Sequence, residues 1–125
     1  MRLGHAGSTA LEFAVIAPVF LLLTGAIIDF GRFNWMQMAM QYGVEKAARC
    51  TAVNANLCAT PAPTGGYTPV DYAFANTYAS GLAATDFTYT QPTCGHQVAA
   101  TKAFTFLMGF NNYPVTLRAM ACFPS

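Results

Sequence analysis

Charge is what this sequence has least of. Only six of its 125 residues are Lys or Arg and five are Asp or Glu, so 9% carry charge, against roughly 25% in an ordinary soluble domain. The net charge is +1 and the cations are scattered. No basic patch forms, which argues against nucleic acid as a partner. Histidine is almost as scarce, with His5 and His96 alone. No C-x2-C or H-x3-H spacing is present, and Cys94-Gly95-His96 by itself is not a ligand motif, so neither a metal site nor a cofactor is expected. A Gly-rich phosphate loop is missing, Ser8 and Ser80 sit in no nucleophile motif, and Asp71 and Asp86 read as helix and strand-end residues. These absences leave no catalytic constellation, and the chain reads as a non-enzyme. Its length suffices for one domain and not two.

What is abundant is apolar surface, 54% of residues. Much of it lies in one uncharged run of sixteen residues, Phe13 to Ile28, entered at Glu12 and closed by Asp29. As a helix this run spans about 24 Å, a little short of the ~30 Å hydrocarbon core of a bilayer. Ala10, Leu11, Phe30 and Phe33 extend it, giving a transmembrane segment at about 11–33. Phe30, Phe33 and Trp35 suit the lipid interface, where aromatic rings are enriched. A carboxylate such as Glu12 at the rim of that helix is costly without solvent or a partner.

The residues before the run carry a pattern. Gly7 is followed by Ser8-Thr9-Ala10-Leu11, then Glu12-Phe13. This resembles the processing site of type IV prepilins and their Tad/Flp relatives. The resemblance continues through Leu11-Glu12-Phe13-Ala14, Ala17-Pro18, Leu21-Leu22-Leu23 and Asp29-Phe30-Gly31-Arg32, which are similar to the N-terminal signature of TadE-like pilus proteins. Leucine at 11, aspartate at 29 and a leader with Arg2 as its single cation depart from the usual form. The resemblance implies a cut between Gly7 and Ser8 by a prepilin peptidase, making Glu12 the fifth residue of the mature chain. It also implies that Glu12 neutralises the Ser8 amine of a neighbouring subunit. An α-amino group with a pKa of about 8 is cationic at neutral pH. The partners implied are the peptidase, other pilin subunits, the Tad/Flp assembly machinery and the membrane. Alternatives are a major pilin, or a permanently anchored extracytoplasmic binding module that is never cut. An ordinary signal peptide would need a site such as Thr24-Gly25-Ala26 and a more basic start.

All four cysteines, Cys50, Cys58, Cys94 and Cys122, follow the apolar run. An even number in a small domain past a membrane anchor reads as two disulfides in an oxidising compartment. Charge does not set orientation, because Arg2 competes with Arg32, Lys46 and Arg49. The cysteines and the resemblance place the N-terminus in the cytoplasm and the C-terminal part outside it, as a single-pass inner-membrane protein.

The expected fold is α+β and pilin-like. A leader of residues 1–7 precedes a long helix at 8–50 and a disulfide-containing extracytoplasmic domain at 51–125. The helix itself is predicted from about Thr9 to Arg49, disturbed at Pro18. Past Arg32 it turns amphipathic, with Phe33, Met36, Met40, Val44 and Ala47 on one face. Ala39, Gly43 and Ala47 form a ridge of small residues that permits close approach. Breakers make 51–68 a loop. A second helix is predicted over Pro69–Ser80, capped by Thr68 and ended by Gly81, with Val70, Ala73, Phe74 and Thr77 on one face. Three strands follow, Asp86–Thr90, Val98–Leu107 and Val115–Cys122, with Lys102 interrupting the apolar face of the second. Gly109, Asn111, Asn112 and Pro114 supply the last turn. An antiparallel meander brings Cys94 near Cys122. Of the three connectivities possible, this one predicts Cys50–Cys58 and Cys94–Cys122.

Overall fold

A single helix carries the apolar run out of its uncharged stretch and into the folded domain. The computed structural model describes residues 6–107 and 114–124. In it, helix α1 covers Ala6–Val53, 48 residues, about 72 Å at 1.5 Å per residue. It continues through Pro18 and extends four residues past the predicted end at Arg49, because Asn54 still donates its backbone N–H to the Cys50 carbonyl. The Thr51 hydroxyl bonds the Ala47 carbonyl at 2.8 Å in the same last turns.

The amphipathic half of α1 supplies one wall of the core. Met40, Val44, Ala47 and Ala48 are buried, with Phe33 and Met36 packed against them. The facing wall is a three-stranded antiparallel sheet ordered β1 (Phe87–Thr90), β2 (His96–Phe104), β3 (Val115–Phe123). Phe87 pairs with Ala100 and Phe104 with Val115. Alternation sends Phe87, Val98, Ala100, Phe104, Leu117 and Ala119 inward onto α1. The Gln37 side chain donates to the Arg118 carbonyl at 2.8 Å and ties the helix to β3. The fold is α+β, a long apolar helix followed by a short one and a meander.

Several boundaries differ from expectation. The second helix, α2, is Pro69–Ala75, five residues shorter than the pattern predicted. Its start is as expected, with the Thr68 hydroxyl accepting the Asp71 backbone N–H at 3.1 Å. Asn76 stops it: its backbone N–H and its side-chain amide both bond the Tyr72 carbonyl. The Thr77 hydroxyl then bonds the Ala73 carbonyl at 2.7 Å. Gly81, with φ +90°, turns the chain well beyond the helix rather than ending it. Phe74 stays exposed while Ala73 is buried, because the side of α2 that meets α1 at Gly43 carries Ala73 and is followed by Thr77. The second strand starts two residues earlier than predicted and ends at Phe104, leaving Phe106 outside the ladder. Of the predicted turn residues, Gly109, Asn111 and Asn112 lie outside the described residues.

Lys102 is not an interruption of the core. Its ammonium reaches Asp86 Oδ2 at 2.8 Å, and the same oxygen accepts the Ala83 backbone N–H. Burial alone would raise the Asp86 pKa. The hydrogen bonds from Lys102 and Ala83 and the lysine charge outweigh it, holding the carboxyl below its ordinary value of 3.8. The ionised form is therefore favoured by folding. That stability is present above the ordinary value and is lost as pH falls through the lowered one. Asp86→Asn should cost about 0.5–1.5 kcal/mol at neutral pH. Urea unfolding should show the difference between the two proteins vanishing in acid.

Candidate functional site: an uncovered apolar helix

From Thr9 to Ile28 no residue of α1 is buried. Its most apolar eighteen-residue window is entirely unburied and long enough to cross a membrane. Phe13, Val15, Ile16, Phe20, Leu23 and Ile27 all stand more than half exposed. Each such side chain gains about 1.5–3 kcal/mol on leaving water. An aqueous setting for this half of the helix is therefore strongly disfavoured, and lipid or other apolar helices are its natural surroundings.

Gly7 and Ser8 fall in the first turns of α1. Glu12 lies exposed one turn further along. The four cysteines are at the other end of the molecule. Cys50, in the last turns of α1, is bonded to buried Cys58, with Cα atoms 5.8 Å apart. Cys94 is bonded to Cys122 across 6.3 Å, where the register sets Gln97 opposite Cys122. His96 Nδ1 is 2.6 Å from the Tyr89 hydroxyl, which also accepts from Gln91. Among the described residues no group of three or more His, Cys, Asp and Glu is placed to hold a metal ion.

A feature at the far end of the apolar run is not apparent from the run alone. Asp29 is 3% exposed, with Oδ1 accepting from Arg32 Nη1 at 3.3 Å. The Arg32 guanidinium also lies over the Phe104 ring, 5.6 Å from its centroid. The run thus ends in a charge pair fastened to β2. The i, i+3 spacing of Asp29 and Arg32 was a visible signal for the pair, but the Phe104 contact is seventy-two positions away in the chain.

Residues 7–49 match the model of the TadE-like protein family. Over this segment, about a third of its length, the chain is similar to that family. The TadE-like match begins at Gly7, takes in Glu12, the whole apolar run and the Asp29–Arg32 pair, and stops one residue before Cys50. The sheet and all four cysteines lie beyond the TadE-like segment. No curated protein and no solved structure matches the chain.

Proposed function

We propose that this protein is a minor pilin or pseudopilin of a Tad/Flp-type pilus. In this reading residues 1–7 are a leader, and α1 inserts in the inner membrane with the disulfide-linked domain outside the cytoplasm. A prepilin peptidase cuts between Gly7 and Ser8. The mature subunit then joins other pilins by packing its apolar helix among theirs. The observation that carries the reading is the bare helix itself. It begins with the TadE-like segment and presents apolar side chains on all sides, as a helix does when its packing partners are other chains or lipid.

Intact-mass spectrometry of the protein from native membranes tests the reading. A chain starting at Ser8 supports it. A chain still carrying residues 1–7 favours a permanent anchor instead, and a start after Ala26 marks a secretory signal. A major pilin would be cut in the same way but would dominate sheared filaments.

Glu12 has a separate role and a separate test. It stands exposed on a helix otherwise free of charge until Asp29, and in a bundle of such helices it needs a cation. The Ser8 amine of a neighbour supplies one, and leaving either charge unpaired in an apolar bundle costs about 3–5 kcal/mol. Glu12→Ala should be cut normally yet recovered in sheared filaments at a small fraction of the unchanged level. Equal recovery would remove the charge-neutralising role.

A further inference from the structure

The folded domain carries an apolar collar at the end from which the bare helix emerges, and its dimensions match the lipid surface. The uncharged run of sixteen residues is about 24 Å long, some 6 Å short of the ~30 Å hydrocarbon core. The shortfall is about four residues, which carries the lipid boundary past Ile28 to the level of Arg32. The charges there do not forbid it, because Asp29 is buried and paired with Arg32 within its own turn.

The domain begins at this same level. Ala79, Ser80 and Phe104 line one cavity together with Ile28, Gly31 and Trp35. Phe33 stacks on Phe106 at 6.2 Å and meets Phe104 edge-on at 5.6 Å. The β2–β3 register sets Val115 beside Phe104. Around the helix exit, Leu107 is 72% exposed, Phe30 66% and Trp35 64%, with Phe106 and Val115 also open. The next charges along α1, Glu45, Lys46 and Arg49, lie about 18 Å or more beyond Phe33.

Resting on the membrane-spanning reading of α1, we propose that the domain itself sits on the bilayer. Phe30, Trp35, Phe106, Leu107 and Val115 enter the boundary between headgroups and acyl chains. The collar supplies the apolar length that the run lacks and keeps water from Asp29. Large aromatic and aliphatic side chains at this depth are the usual means by which a protein settles at a lipid interface. The surface is continuous with the membrane helix, which is why lipid rather than a soluble partner is its occupant.

Trp35 is the single tryptophan and serves as a native depth probe. The full chain is placed in phosphatidylcholine vesicles whose acyl chains are brominated either high or low, and emission is compared with unbrominated lipid. Leu107→Trp, Met120→Trp and Val19→Trp are made in a Trp35→Phe background. All three positions are exposed, so the fold tolerates them. The expected result is a loss of emission from Leu107→Trp with high bromine that equals the loss from native Trp35. Met120→Trp, about 17 Å further along β3 than Val115, should lose none. Val19→Trp should be quenched by low bromine. If Leu107→Trp keeps its emission while Val19→Trp is quenched, the helix is in the bilayer but the collar is not, and the proposal falls. That outcome would include a second copy covering the collar. If Val19→Trp also keeps its emission, the spanning reading fails along with the proposal.

Discussion

Gly43→Ala should destabilise the domain by about 1–3 kcal/mol, although alanine is the better helix former. On propensity alone the change would stabilise α1 by about 1 kcal/mol. Space reverses the sign. A Cβ at position 43 would lie 2.0 Å from the Thr77 hydroxyl and 2.9 Å from the Ala73 carbonyl. The first contact involves a side chain, but one held by its own bond to the Ala73 carbonyl. The second is backbone, so relief requires α2 to move off α1. Moving it would open the packing of buried Ala73 beside Val44 and Ala47. The two contacts can be separated. Thr77→Ala removes the nearer one, so Gly43→Ala combined with Thr77→Ala should recover part of the loss and leave the share due to the Ala73 carbonyl. Thermal unfolding of the full chain in detergent, followed by near-ultraviolet circular dichroism, gives both values. Additive losses would show that the positions do not share a clash.

On the proposed reading, in which residues 1–7 are a leader cut off after Gly7, Gly7→Leu should leave that leader attached. Position 7 lies in the first turns of α1, and a peptide bond there must leave the helix to enter a protease. Glycine eases that unwinding by about 0.8 kcal/mol relative to leucine, which accounts for only a three- to fourfold change. On the same reading, the rest of the loss is assigned to the bulk of the branched side chain at the cut site. Gly7→Ala separates the two effects, because alanine has the helix propensity of a strong former with almost no bulk. It should be cut several-fold more slowly, whereas Gly7→Leu should give no detectable Ser8 terminus by intact mass. Normal cutting of the leucine variant would place the processing site elsewhere.

The sequence by itself determined the features that depend on near neighbours in the chain. An uncharged apolar run of sixteen residues is too long for a strand and marked a helix whose surroundings are apolar. The spacing of Phe33, Met36, Met40, Val44 and Ala47 marked the buried face. Thr68 and Pro69 marked the start of α2, and alternation marked three strands whose meander order sets Cys94 near Cys122. Tertiary structure decided what depends on partners far away. The element that the ridge at Gly43 admits is α2. Lys102 looked misplaced on an apolar face until the turn before β1 brought Asp86 to it. Helix α2 stops at Asn76, where the backbone leaves helical geometry and the side-chain amide closes on the Tyr72 carbonyl. Asp29 closed the apolar run in the sequence, and only the fold shows it buried and its partner Arg32 stacked on β2. Local periodicity reports which side of an element avoids water. It carries no record of which distant residue arrives there, and that arrival settles whether a charge is paired or a glycine is indispensable.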